Sequence, residues 1–208
     1  MPLITPEQLK AIATTLPPER CKEIADLLNE LCPKYGIVTT DVFHEFLANV
    51  LHESGEFNLK DENMNYSASR LRAVWPSRFP SFTAANQYAR NPKKLANFVY
   101  GGRMGNKPGT DDGWTFRGGG LIGLTGREMY TKYANYIGKS VEETANLIRT
   151  TDRYALDSAL WFFCVLKNLE PLAENDEFTK IVKHINGGLI GLADRQKYYE
   201  RAKKVLVG

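Results

Sequence analysis

The segment 154–169 places Leu156, Leu160, Trp161, Phe163, Cys164 and Leu166 around most of a helical circumference. A helix with so little polar surface has to be enclosed by other elements, and the rest of the pattern supplies helices to do it. Pro17 and Pro18 open a segment in which Ile24, Leu27, Leu28 and Leu31 recur at helical spacing until Pro33 and Gly36 stop it. Thr40 or Asp41 is the expected cap of a second helix, with Val42, Phe43, Phe46, Leu47, Val50, Leu51 and Ser54 on one broad face and Gly55 as its close. Glu45, Asn49, His52 and Glu53 are expected elsewhere on that helix's surface. Further helices are expected over 67–74, 83–100 with a break at Asn91-Pro92, 126–136, 141–149, 176–185 and 192–206.

Ten of the seventeen glycines fall between residues 101 and 126, so this stretch is expected as turns and close approaches, with 121–125 a short strand or an extended piece lining a groove. The fold class is therefore mainly α with little β structure and a central apolar helix. At 208 residues and 43% apolar content the chain suits one domain over 1–208, with 1–36 as an N-terminal helical segment packed on the remainder. Cys21, Cys32 and Cys164 have the spacing of neither a disulfide framework nor a zinc knuckle, and are expected as buried free thiols. The N-terminus lacks the basic start and apolar core of a secretory signal, and no apolar run approaches a membrane span. Synthesis in a reducing cytoplasm follows as the expectation, with no integral membrane segment. A formal charge of +3 suits an anionic partner without naming one. Nucleic acid is not expected, because the basic residues form no single stripe beyond Lys197, Arg201, Lys203 and Lys204 on the last helix.

Glu53 ends the 41–54 helix, near the negative end of its dipole, and apolar neighbours there would help it retain a proton. Glu62 follows nine residues later on a loop. Two carboxyl groups in opposite protonation states are what glycosidic hydrolysis needs: one donates to the leaving oxygen, the other activates water. Tyr66, Trp75, Tyr100, Trp114 and Phe116 lie in polar or glycine-rich stretches, where rings are suited to pack on sugar faces. Other chemistries lack their patterns. His44 and His52 are eight apart, position 56 is Glu56, and no metal site is expected. His52 is instead expected to hold the local backbone by a hydrogen bond, with His44 on the partly exposed side. Ser54 lacks a nucleophile elbow, Gly118-Gly119-Gly120 lacks the end of a phosphate loop, and no cofactor is expected.

In order along the chain stand His52-Glu53-Ser54-Gly55, Glu62-Asn63-Met64-Asn65-Tyr66-Ser67, Tyr100-Gly101-Gly102-Arg103-Met104-Gly105-Asn106, Gly113-Trp114-Thr115-Phe116-Arg117-Gly118, Leu121-Ile122-Gly123-Leu124-Thr125-Gly126, Ile185-Asn186-Gly187-Gly188 and Leu192-Ala193-Asp194-Arg195. This series resembles the chitinase-type domain of glycoside hydrolase family 19, and most closely its compact form in phage endolysins, over a core of 40–205. The resemblance implies a lysozyme-like, two-lobed α-helical domain with a substrate cleft. It also implies an inverting mechanism, with Glu53 as general acid, Glu62 as general base and Thr125 helping to hold the attacking water. Asn186 and Arg195 would line the groove or support the base, with His52 also on the substrate side. The sequence departs from the plant-chitinase pattern at Gly123, Met129 and Arg117-Gly118-Gly119-Gly120. The expected function is that of a monomeric endolysin cleaving the β-1,4 bond between N-acetylmuramic acid and N-acetylglucosamine in peptidoglycan glycan strands. It would reach the wall after a separate membrane-permeabilising protein opens the membrane. The alternatives are a chitinase acting on N-acetylglucosamine polymer and a non-catalytic glycan-binding module.

Overall fold

The computed structural model describes residues 2–206. The described residues divide into two compact units, one made of 2–60, 120–122 and 148–206, the other of 61–119 and 123–147.

The first unit begins with α1 (Pro6–Ile12), α2 (Pro18–Leu31) and α3 (Thr40–Ser54). α1 is started by a reciprocal cap in which Thr5 and Gln8 each bond the other's backbone amide. α3 begins at Thr40, and its cap position falls to the extended Thr39, one residue before the earlier of the two expected caps. Its apolar stripe is enclosed as expected, with Phe43, Phe46, Leu47, Val50 and Leu51 fully buried. Each such side chain contributes about 1.5–3 kcal/mol, which anchors the helix against the rest of the unit. The chain leaves α3 through three successive left-handed residues, Gly55, Glu56 and Phe57. Two of them carry side chains, so the bend is strained and must be held by its surroundings. It is held: Ser54 Oγ accepts from the Phe57 amide at 2.9 Å, and the Glu56 carboxylate accepts from the Thr15 amide and hydroxyl at 2.5 and 2.6 Å.

The second unit contains α4 (Ala68–Val74), α5 (Phe82–Asn86), α6 (Pro92–Tyr100), α7 (Asp112–Thr115) and α8 (Arg127–Ile137). Pro92 at the first turn of α6 makes the expected break, and Asn91 caps the helix through the Lys94 amide. Met64, Leu71, Phe79, Leu95 and Val99 form the core of this unit, with Tyr66, Trp75 and Trp114 packed against it. Asp112 accepts two bonds from Arg127, at 2.7 and 2.8 Å, and that pairing holds its carboxyl down at about 2. The glycine-rich stretch forms no regular strand among the described residues. Two isolated antiparallel bridges, Asp61 to Gly119 and Gly119 to Leu124, lay three extended pieces side by side.

α9 (Val141–Thr150) carries the chain back into the first unit, which is completed by α10 (Asp152–Leu160), α11 (Glu170–Glu174), α12 (Phe178–Asn186) and α13 (Leu192–Val205). The apolar segment 154–169 is helical over most of its length, but from Trp161 to Leu166 it widens into a π-helix. Trp161, Phe162, Phe163 and Cys164 are buried there, and Phe163 meets Phe46 of α3 edge-on at 5.5 Å. α3 packs most extensively along α13. Cys21, Cys32 and Cys164 are all buried free thiols. Among the described residues, no helix is long and apolar enough to cross a membrane.

Candidate active site

Glu53 lies in the last turn of α3, half-buried, and its partner comes from α13. Arg195, fully buried, donates from Nη2 to Glu53 Oε1 and from Nη1 to Asn49 Oδ1 at 3.0 Å. The apolar surround expected for this carboxyl is thus replaced on one side by a guanidinium. Asn49 sits one turn before Glu53 on the same helix, and its amide nitrogen donates to the Glu45 carbonyl at 2.8 Å. That bond orients the amide so that its oxygen faces Arg195; the flipped amide would set a donor against the cation. The expectation that Glu45 and Asn49 lie at the helix surface is corrected here, since both are fully buried against the first unit.

His52 is hydrogen-bonded, but to a distant side chain and not to the local backbone as expected. Its Nδ1 lies 2.7 Å from Asp194 Oδ2, which comes from the first turn of α13. Gly191 packs against the other side of the ring, and a Cβ there would run into His52 Nε2. Asn186 donates to the Ile190 carbonyl at 2.5 Å, closing the turn that leads to Gly191. Asn186 therefore acts on the loop 186–191, and its own exposed amide is committed to that brace. His44 departs from its expected exposure: it is buried, edge-on to Tyr199 at 6.4 Å, and burial lowers its pKa.

Glu62 belongs to the second unit. Its Oε1 accepts from the Tyr100 hydroxyl at 2.7 Å, and its Oε2 from the Gly118 amide at 2.9 Å. Burial, then the neighbouring carboxylate, pushes the Tyr100 phenol well up, which keeps its proton available to donate. The Glu62 amide in turn donates to the Gly118 carbonyl at 3.0 Å, so side chain and backbone are both tied to one glycine. A Cβ on Gly118 would stand 3.1 Å from Glu62 Oε2, closer than an ordinary contact. The preceding Asp61 is paired with the buried Arg117 at 2.5 Å, which leaves Glu62 as the carboxyl held by neutral donors. Thr125 follows Leu124 of the bridge to Gly119, and its hydroxyl donates to the Gly123 carbonyl at 2.9 Å. Glu62, Gly118 and Thr125 thus come from three adjoining extended pieces of one unit.

The aromatic expectations divide. Tyr66 is half-buried against Trp75 at 5.3 Å, and Trp114 is half-buried with the Arg117 guanidinium over one face at 3.6 Å. Phe116 is fully buried between Tyr130 and the Arg127 guanidinium, so it is a core ring with no face for a sugar. Asn49, Gly118 and Asp194 were missing from the sequence-derived candidates, and Tyr100 was among them only as a ring for sugar faces, not as a donor to Glu62. Asn49 alone had a local signal, standing four residues before Glu53 on one helix face.

No protein-family model matches the chain. A glycosyl hydrolase family 19 domain-containing protein of Haemophilus influenzae is 33% identical over 183 residues, covering 88% of each chain. Among solved structures, chitinase C from Streptomyces griseus matches with a TM-score of 0.63 at 16% identity, over 99% of this chain and 77% of that one. A glutamate-to-glutamine mutant of chitinase C matches with a TM-score of 0.64 at 15% identity over the same shares. The fold is accordingly mainly α-helical and lysozyme-like, and the chain belongs to glycosyl hydrolase family 19.

Proposed function

We propose that the chain hydrolyses β-1,4 bonds in a polymer of N-acetylated amino sugars, with Glu53 as general acid and Glu62 as general base. The observation that carries this is that each carboxyl is held in a fixed orientation by named partners, Arg195 for Glu53 and Tyr100 with the Gly118 amide for Glu62. Glu53 has one oxygen engaged by Arg195, so Oε2 is the atom we assign to carry the proton toward the glycosidic oxygen. Glu62 has both oxygens fixed by Tyr100 and Gly118, an orientation suited to drawing a proton from water. Thr125 is proposed to help hold that water. Inversion at the anomeric carbon follows from a base that acts through water without bonding to the sugar. The whole chain is read as one catalytic domain with its chitinase-type core over 40–205.

For the polymer, the two chitinase C structures speak for N-acetylglucosamine homopolymer, and this reading has the more direct support from comparison. Peptidoglycan is the second reading, favoured by the loss of plant-chitinase polar residues at Gly123 and Met129. A buried sugar hydroxyl or amide that misses its partner costs about 1–3 kcal/mol, enough to weaken a chitin-specific groove. On the peptidoglycan reading the protein acts on the cell wall once a separate protein has opened the membrane.

The test is product analysis on chitin oligomers and purified peptidoglycan side by side, scoring new reducing ends and the anomer first released. Glu53→Gln should abolish release from whichever polymer is cut while binding persists. No new reducing ends from either polymer, or full activity in Glu53→Gln, would reject the assignment.

A further inference from the structure

Between Glu62 and Asp111 the sequence contains eight lysines and arginines and no aspartate or glutamate. The basic residues, which form no stripe on a helix, are thus segregated along the chain, and the whole stretch lies in the second unit. Most of these cations are engaged. Lys93 pairs with Asp111, Arg72 lies over Phe82, Lys94 over Tyr88, and Arg78 and Arg103 donate to carbonyls at the end of α6. Of the three that remain, Arg70, Arg90 and Lys107, the first two stand together. Both are exposed, neither has a carboxylate partner among the described residues, and together they line a pocket of about 390 Å³. The other walls are Asn63, Asn65, Tyr66 and Ser67, so the pocket begins at the residue that follows Glu62.

The position of Arg90 is held at a cost. Its backbone is left-handed, with φ of 56°, and its amide donates to the Tyr66 carbonyl at 2.9 Å. A side-chain-bearing residue in that region is strained, and the bond across to Tyr66 fixes the guanidinium's root at the pocket wall. Two planar guanidinium groups beside asparagine amides, with no acid among the lining residues, form a receptor for a carboxylate.

We infer that this pocket binds a carboxylate borne by the glycan substrate, and so selects an amino-sugar polymer with acidic substituents over a neutral one. The inference rests on the amino-sugar hydrolase reading above and chooses within it: N-acetylglucosamine homopolymer carries no carboxylate, whereas the lactyl and peptide groups of peptidoglycan do. Cations with no carboxylate partner among the described residues gain most from such a group, and the gain is screened by salt.

Binding by calorimetry decides it, because it reads the pocket whether or not the bond is cut. The probes are a soluble peptidoglycan tetrasaccharide-peptide with free carboxylates, the same molecule with its carboxylates amidated, and N-acetylglucosamine tetrasaccharide. The free acid should bind the wild-type protein about tenfold tighter than the amidated form, the scale of one charge-assisted hydrogen bond, and lose that advantage as salt rises. In the Arg70→Gln/Arg90→Gln double variant the ratio should collapse towards one, with Arg70→Gln alone intermediate. Equal binding of acid and amide by the wild type, a need that involves no variant fold, overturns the inference. So does a preference that survives the double substitution. Reducing ends are scored separately on the same preparations, so loss of the hydrolase reading is seen apart from loss of the pocket.

Discussion

Replacing Glu45 by Gln should stabilise the protein, and increasingly so as pH rises. Glu45 is fully buried in α3, and neither carboxyl oxygen has a hydrogen-bond partner among the described residues. Burial, and then the charge of Asp176, raises its pKa from 4.5 to about 8, while Lys203 pulls the other way. A carboxyl with a raised folded-state value holds its proton when the unfolded chain has released it. Its contribution to stability is therefore complete below pH 4.5 and is lost as pH climbs to about 8. Each pH unit in that window costs about 1.4 kcal/mol, so the loss reaches roughly 3 kcal/mol at neutrality and about 5 above pH 8. Glutamine keeps the shape and removes the titration. Urea unfolding of both proteins at half-unit steps from pH 4.5 to 8.5 should give curves that diverge with pH, the variant becoming the more stable. Part of the loss will be recovered if the chain relaxes to admit water at high pH, which flattens the upper end of the difference. Parallel curves across the window would refute the reasoning, because they would show that Glu45 ionises alike in both states.

Three further substitutions examine the bracing of the two glutamates. Tyr100→Phe removes the hydroxyl donor to Glu62 Oε1 and should lower kcat/KM about tenfold with little change in the thermal midpoint; an unchanged rate would mean the phenol does not orient the base. Gly118→Ala pushes a methyl group against Glu62 Oε2, and kinetics should show kcat falling by more than tenfold, with about 1–3 kcal/mol lost in denaturant unfolding. Asn49→Leu leaves the Arg195 Nη1 group without its acceptor in a buried site, at about 1–3 kcal/mol of stability. Its kcat should fall while KM holds, since Asn49 acts on Glu53 only through Arg195; a change confined to KM would place Asn49 in ligand binding instead.

The helices were legible because their signals are local. Pro92 broke 83–100 where it stood, Gly55 closed α3, and the apolar stripe of α3 faced inward as its spacing required. Local signals fail where a residue's surroundings come from far along the chain. Glu45, Asn49 and His44 look like an exposed polar face of α3, yet α13 packs over that face and buries all three. Phe116 sits in a glycine-rich stretch that suggested an open groove, and only Tyr130 and Arg127 of α8 show that it is enclosed. Arg195 was readable through family resemblance, whereas its hold on Glu53 depends on a contact across 142 residues that no periodicity encodes. For the same reason the two donors to Glu62, Tyr100 and the Gly118 amide, were visible as residues and not as partners.

The three thiols carry a practical consequence. Burial pushes the Cys32 and Cys164 groups well above the usual thiol range and raises Cys21 as well, and the reactive thiolate is correspondingly scarce at all three. A cysteine introduced on an exposed surface, for instance at Ser69 or Thr179, should therefore be alkylated far faster than any native one. Fluorophores or spin labels placed in pairs this way, one in each compact unit, would report distances during turnover without first stripping the chain of its own sulfur.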